Sequence, residues 1–448
     1  SSGDGRAPSM TLKALPYVAL LVIALAIDGC SSWAADPAGG GPADLGIVRD
    51  AMREIEKSYV APINQDHLVK GALKGMLTRL DPHSDYMDER EYRELVATTS
   101  GQFGGVGIEI SVEQGVPQVI SPIDGTPAAA AGIEPGDRIV KADGQPTVGM
   151  DISEVVRHLR GAPGSRVVLT IARSNRPLFE VPIRRAIIHV DSVKPALKPG
   201  RIGYVRISTF DENTASELRA AIAGLRQQAG GAFAGFVLDL RNDAGGLLDS
   251  AVEIAGDFLD SSTVVLTRGR AADENRIYRA PPHGDLIAGT PLVVLINGAS
   301  ASAAEIVAGA LQDDRRATIM GMRSFGKGSV QSIIPLDGRG ALRLTTALYY
   351  TPSGRSIQGQ GITPDIVLPL PADQQVANAL ITYESDLFGA LKATGALAPE
   401  AGAATPAAAP APRGGDHPIN PKIIGTPEDA QLNAALARLK KQGRPPAR

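Results

Sequence analysis

Cysteine is almost absent: Cys30 is the single one in 448 residues. That excludes an internal disulfide and any cysteine-based metal site. Aromatic residues make up 4% of the chain, too few for base-stacking platforms. Charge of one sign is missing too. With 45 basic and 48 acidic side chains the formal net charge is −3, so the basic face that nucleic-acid binding requires has no counterpart in the composition. The apolar run near the N-terminus, Ala14 to Ile27, has 14 residues, short of the roughly 20 that a membrane-spanning helix needs. The remainder, 43% hydrophobic and 21% charged, is ordinary for globular protein, and the length suits about three domains.

The N-terminal run instead fits the core of a secretory signal, with Met10 as the start, Lys13 as the positive flank and Ser1 to Ser9 as upstream sequence. Two exits are open. Ser32-Trp33-Ala34 before Ala35 has the small-residue pattern of a cleavage site and gives a soluble mature protein. Ile27-Asp28-Gly29-Cys30 has the pattern of a lipoprotein box, in which Cys30 would carry lipid, but Asp28 is out of place there and simple secretion is preferred. Residues 1–35 are therefore assigned to targeting, and the protein is expected in the bacterial periplasm.

The stretch that carries chemistry lies between 291 and 331. Pro291 to Ile296 is short, apolar and β-branched, as in a buried strand. A small-residue turn follows, Asn297-Gly-Ala-Ser300-Ala-Ser302, and then Ala303 to Leu311, whose Ile306, Val307, Ala310 and Leu311 repeat at helical spacing. Strand, tight turn and helix together lift a serine hydroxyl onto a helix N-terminus, where free amides stabilise negative charge. Ser302-Ala-Ala-Glu305 also fits a capping box, in which the serine only closes an orphan amide. A catalytic serine needs a base, and none of the six histidines, His67, His83, His158, His189, His283 and His417, lies beside it in sequence. Lys327, between Gly326 and Gly328, could serve if burial lowers its pKa; the plain alternative is a solvated surface lysine.

Ser300-Ala-Ser302-Ala-Ala-Glu305-Ile306 through Gln312-Asp313, followed by Phe325-Gly-Lys327-Gly-Ser-Val-Gln331, resembles the carboxyl-terminal processing proteases, PDZ-containing serine endopeptidases with a Ser/Lys dyad. The separation of 25 residues from Ser302 to Lys327 and the step of four to Gln331 match that family. The resemblance spans roughly residues 45 to 370. It implies Ser302 as nucleophile, Lys327 as general base and Gln331 as the residue that orients the lysine. It implies no metal and no organic cofactor.

Along the chain, Leu45 to Tyr59 and His67 to Leu80 read as two amphipathic helices within an N-terminal helical region, 43–97, which need a partner surface. Asp81-Pro82-His83-Ser84 is a polar turn also carried by the family; His83 could be taken for a catalytic residue, but the turn reading is preferred. Residues 98–186 become glycine-punctuated and β-rich. Gly104, Gly105, Val106, Gly107 and Ile108 form a loop running into a strand, whose inward amides suit a carboxylate. Met150 to Leu159 is an amphipathic helix. The order of elements resembles a PDZ domain, which adds a peptide C-terminus to a sheet edge. Arg160 aligns with an arginine that in such proteases is proposed to sense the loaded domain; a surface charge at a helix end is the alternative.

Residues 187–372 alternate strands and helices, which gives a multidomain α+β or α/β chain. The resemblance makes this part a crotonase-like, layered αββ protease core with the PDZ domain inserted and helices at both termini. Gly235 to Leu240 is a buried strand that turns through Arg241-Asn-Asp243-Ala244-Gly245-Gly246 into a helix. The family has a similar turn, usually with proline before the two glycines, where this chain has Ala244. The amides of Gly245, or failing that Gly246, and of Ala303 are the expected oxyanion donors. Residues 393–418 form an Ala/Pro-rich linker, and 426–442 hold an amphipathic helix with little of its own domain to cover, read as an assembly helix.

The expected function is a periplasmic endopeptidase that captures C-terminal or unfolded segments of envelope proteins. The expected partners are those peptides, further copies of the chain, and a lipoprotein adaptor. The alternatives are a non-catalytic PDZ scaffold, which has no need of Ser302, Lys327 and Gln331, and a crotonase-type acyl-transfer enzyme, for which no further phosphate-cradling loop is present.

Overall fold

The computed structural model describes residues 45–393 and 419–442, apart from 114, 124, 151, 175, 190 and 377–380. The targeting run, both its exits and the Ala/Pro linker lie outside the described residues. The chain divides into two compact units, one ending at Gln65 and one running from Asp66 onward. In the first, the helix Gly46–Ser58 has the expected amphipathic pattern and no buried residue; Leu45, Ile47, Val48 and Ile55 are all exposed.

In the second unit, the helices Gln65–Leu77 and Glu89–Thr99 are tied together by Lys70 on Asp88 and Lys74 on Glu91 (3.3 Å). Asp88 and Glu91 close a reciprocal capping box at the start of the latter helix.

A separate hydrophobic core then forms, built on Val106, Val119, Ile139, Val155, Leu169, Ile171 and Ile183. Its sheet runs in the order Ile108–Glu113, Val116–Pro122, Arg138–Ala142, Arg166–Ala172, Phe179–Arg184. The helix Ile152–Leu159 lays Val155 and Leu159 on it. The chain enters this domain along Gln102–Gly105 and leaves along Ala186–His189, and these two strands pair antiparallel. Entry and exit side by side are what an inserted domain requires.

The largest core surrounds a six-stranded sheet ordered Val193–Lys198, Ile202–Ile207, Gly235–Asp239, Leu292–Ile296, Ala317–Gly321, Ile366–Val367. Only the first pair is antiparallel. The parallel strands Gly235–Asp239 and Leu292–Ile296 are buried at every residue, as runs that are apolar except for Asp239 predict. One face packs on the helices Thr214–Gln228, Leu248–Gly256 and Ala303–Asp313. A second sheet pairs Asp85–Met87, Ser329–Pro335 and Thr263–Gly269 with the long strand Ala341–Tyr350, and Arg276–Arg279 with Thr263–Gly269. The result is the layered α/β core with an inserted PDZ domain.

The C-terminal helix corrects the sequence reading. Leu432, Ala435 and Leu439 of Ala430–Gln442 are buried against Tyr204, Val237, Val293 and Leu295, on the other face of the same six-stranded sheet. Its apolar stripe is consumed within the chain, so it is a cover for the core and not a free assembly helix.

Candidate active site

The strand Leu292–Ile296 ends at Asn297, and the turn after it is held by short bonds. Ser300 Oγ donates to the carbonyl of Leu240 (2.7 Å) and accepts from the Asn297 amide (2.9 Å). Ser302 follows with φ 54° and ψ −113°, a conformation L-residues avoid, which costs on the order of 1–3 kcal/mol. A serine that only capped a helix would have no reason to be strained. The helix start keeps the geometry of a capping box, with the Glu305 carboxylate accepting from the Ser302 amide, and the Glu305 amide also donates to the Ser302 backbone carbonyl (2.9 Å). Ser302 is 9% exposed, at the edge of the buried core.

Glu305 is the hub. Its carboxylate is fully buried and accepts from the Ser302 amide (Oε2, 2.8 Å), the Lys327 amide (Oε2, 2.9 Å), the Gly326 amide (Oε1, 2.7 Å) and Ser324 Oγ (Oε1, 2.5 Å). Burial pushes its pKa up to about 7, against the pull of these donors. The helix start that carries Ser302 and the loop that carries Lys327 therefore hang from one side chain.

Burial lowers the Lys327 pKa to about 8, with Glu384 and Glu305 opposing the shift. Its Nζ donates to Gln331 Oε1, not to Ser302 Oγ. Gln331, on the strand Ser329–Pro335, is fixed in turn by Ser329 Oγ (2.9 Å) and Thr345 Oγ1 (3.3 Å). Thr345 donates to Asp81 (3.1 Å), whose carboxylate also collects the amides of His83 and Ser84 (2.8 and 2.9 Å). The Asp81-Pro82-His83-Ser84 turn is thus a scaffold behind Gln331. His83 Nε2 meets Glu384 Oε2 at 2.7 Å, and Glu384 accepts from Gln358, whose own oxygen accepts from the Gly328 amide (3.0 Å). Glu384 carries no sequence signal of this role, because nothing local marks it.

Gly245, at φ 91°, packs its Cα on the serine turn; a Cβ there would fall 2.8 Å from the Ala303 amide nitrogen and 2.9 Å from Ser302 Cβ. The glycine is required by that approach. Its own amide, however, donates to Asp243 Oδ1 (2.8 Å) and is not free to meet an oxyanion, which corrects the first choice of donor. Among the described residues no acceptor meets the amide of Gly246 or that of Ala303. Asp243 is fully buried and its Oδ2 has no partner; burial raises its carboxyl well above the ordinary range.

In the inserted domain, Gly105, Val106, Gly107 and Ile108 line a groove of about 250 Å³ with Ile152, Val156 and Leu159 opposite. Arg160 closes one end, its guanidinium 4.5 Å over the Phe103 ring. Gly104 is the exception among the expected groove residues. Its carbonyl accepts from the Gly161 amide (3.0 Å), and a Cβ would lie 2.1 Å from the Gly161 carbonyl oxygen, so it is a backbone contact and not part of the groove.

Among the described residues no cluster of histidine, cysteine and carboxylate side chains is suited to a metal ion.

Comparison with known proteins adds three family matches: "Peptidase family S41" over residues 201–368, "PDZ domain" over 118–173, and "Activating protease CtpB N-terminal domain" over 32–91. A carboxy-terminal-processing protease of Bartonella bacilliformis is 48% identical over 347 residues, 77% of this chain and 79% of that protein. The carboxy-terminal processing protease CtpA of Bacillus subtilis is 34% identical over 351 residues, 78% of this chain and 74% of that one. Among solved structures, a photosystem II D1 C-terminal processing protease is 31% identical, covers 73% of this chain and 94% of its own, and superposes with a TM-score of 0.43.

Proposed function

The chain belongs to peptidase family S41, as a PDZ-containing serine protease of the carboxy-terminal processing kind, and from that premise we propose that Ser302 and Lys327 form its catalytic dyad. One observation carries the assignment: two segments 25 residues apart deliver a strained serine and a buried lysine of lowered pKa to the same carboxylate.

In the proposed cycle the peptide enters the PDZ groove as an added strand and its C-terminal portion reaches Ser302. Neutral Lys327 takes the Oγ proton as Oγ attacks the amide carbon. The carbonyl π pair moves onto oxygen, and the oxyanion rests on the amides of Ala303 and Gly246. Collapse breaks the C–N bond, Lys327 returns the proton to the departing amine, and an acyl ester on Ser302 remains. Water, deprotonated by the same lysine, attacks the ester carbon; the acyl C–O bond breaks, the lysine passes its proton to the departing Ser302 Oγ, and the acid product leaves. A pKa near 8 suits a base that must lose and regain a proton near neutrality. A non-catalytic scaffold would carry the cost of a buried lysine without use for it.

We place the protein in the periplasm on the strength of the 14-residue apolar run and its flanks, with envelope proteins as substrates. The exposed apolar residues of Gly46–Ser58 support self-association or a lipoprotein adaptor at that helix. Casein cleavage followed by mass spectrometry, for the mature protein and Ser302→Ala, tests the dyad. Cleavage by wild type alone supports it, and equal cleavage by both refutes it. Fractionation of cells into periplasm and membrane tests the location.

A further inference from the structure

Arg241 stands where the strand Gly235–Asp239 gives way to the turn bearing Gly245 and Gly246. It is fully buried, as are the two carboxylates that hold it. Asp239 accepts from Nε and Nη2 (2.9 and 2.5 Å). Asp429 accepts from Nη1 and Nη2 (3.0 and 2.6 Å), and Gln431 Oε1 from Nη1 (3.0 Å). Asp429 is itself fixed by the amides of Gly425 and Leu432, both at 3.0 Å. The next residue, Asn242, takes a left-handed φ of 55°. Its Nδ2 donates to the carbonyl of Ile419 (3.1 Å), its amide to Asn297 Oδ1 (3.0 Å), and its Oδ1 accepts from Asn297 Nδ2 (2.7 Å). Two consecutive residues at the root of the glycine turn are therefore gripped by the segment 419–442, and the second passes that grip to the turn that carries Ser302.

Stability alone does not account for this arrangement. The C-terminal helix already buries Leu432, Ala435 and Leu439 on the sheet, and buried ion clusters can often be replaced by apolar side chains at no loss. What packing cannot supply is direction. A planar guanidinium held on two edges by carboxylates has one orientation, and its Cα is fixed with it. In sequence, the gripping segment follows an Ala/Pro-rich stretch, so it reaches the turn from outside the contiguous core.

We infer that Asp429, acting through Arg241, is a positioning residue for the oxyanion turn, and that docking of the C-terminal segment sets where Gly245 and Gly246 lie against Ala303. The inference rests on Ser302 being the nucleophile. A turn displaced by a fraction of an ångström still admits substrate but stabilises the tetrahedral oxyanion less.

The test uses the full chain and a fluorogenic peptide, with a peptide aldehyde of the same sequence as tetrahedral mimic. Asp429→Asn is expected to lower kcat roughly ten- to hundredfold and weaken the aldehyde by a similar factor, with KM within about twofold. Gln431→Met, which removes the third acceptor together with the Nε2 bond to the Leu368 carbonyl (2.6 Å), should do the same on a scale of about two- to fivefold, and covers a failure of Asp429→Asn to fold. Leu439→Ala, at the far end of the same helix, should lower the melting temperature and leave kcat and aldehyde affinity in place. The inference is overturned if the Asp429 and Gln431 variants change only the melting temperature, or if Leu439→Ala loses kcat in proportion to theirs. Wild-type turnover that persists in Ser302→Ala would sink the nucleophile assignment instead, an outcome visible before any of these variants is compared.

Discussion

The amides of Ser302 and Lys327 donate to the same oxygen atom, Oε2 of Glu305, at 2.8 and 2.9 Å. The spacing of candidate nucleophile and candidate base is thus set by a third side chain that touches neither reacting atom. Glu305→Ala would leave four buried donors without an acceptor, each costing about 1–3 kcal/mol. The expected result is a fall in kcat of at least about a hundredfold together with a large loss of melting temperature. Glu305→Gln retains one oxygen but turns an NH2 toward amides that need an acceptor, so it should rescue stability in part and activity little. Peptide turnover and calorimetry on the two variants check this; full activity in Glu305→Ala would remove Glu305 from the machinery.

In the proposed dyad Lys327 sets the pH dependence. With its pKa lowered by burial to about 8, activity should climb as pH rises through that value, because only neutral lysine accepts the serine proton. The stability effect has a definite sign. Between pH 8 and the unfolded value of 10.5 the unfolded chain holds the proton and the folded chain does not, so stability rises with pH across that window. Below pH 8 both states are protonated and the full penalty of a buried charge applies. Lys327→Met should therefore abolish turnover and stabilise the fold at pH 7 by on the order of 3 kcal/mol, the difference vanishing above the unfolded pKa. Chemical denaturation of both proteins at pH 7 and pH 11 decides it.

Gln331 holds the lysine, and its own support comes from the strand Ala341–Tyr350 and the Asp81 turn. Gln331→Leu keeps the volume and removes the acceptor. A kcat loss of roughly ten- to hundredfold at unchanged KM is expected, with the rate limb near pH 8 displaced. Thr345→Val, one bond further out, should give a weaker version of the same change. An unaltered pH profile in Gln331→Leu would contradict its role in orienting Lys327.

These contacts show which parts of the site a sequence discloses. The strand, turn and helix around Ser302 were legible because period and composition are local properties. Glu305 was legible only as a cap, since its four donors come from both its own helix start and a loop some twenty residues away. Glu384 leaves no trace and Asp81 shows only as part of a polar turn, because hydrogen bonds across hundreds of residues have no periodicity. The C-terminal helix differs from its expected assembly role for a related reason: an amphipathic stripe tells that a face will be covered, not by what, and here the cover is Tyr204, Val237 and Leu295. Gly104 cannot be told from its neighbours in the sequence, because a glycine run does not say which member meets a ligand and which meets Gly161.

The PDZ groove offers the means to separate capture from cleavage. Gly107 lies on its floor at φ 80°, and a Cβ there would stand 2.3 Å from Thr126 Cβ, whose hydroxyl donates to the Gly107 carbonyl (3.1 Å). Gly107→Ala is strained in backbone and sterics alike, so the loop must move and the row of amides that receives a peptide moves with it. Protein substrates held by that groove should be cut roughly ten- to hundredfold less efficiently through KM, while a short peptide that reaches Ser302 unaided keeps its kcat. Binding of a fluorescent C-terminal peptide should weaken to the same degree as the KM effect. Because this domain has its own core, built on Val119, Ile139, Leu169 and Ile171, the damage should stay within it. If Gly107→Ala bound peptide normally yet lost kcat on every substrate, the groove would be acting on the catalytic turn and not merely feeding it.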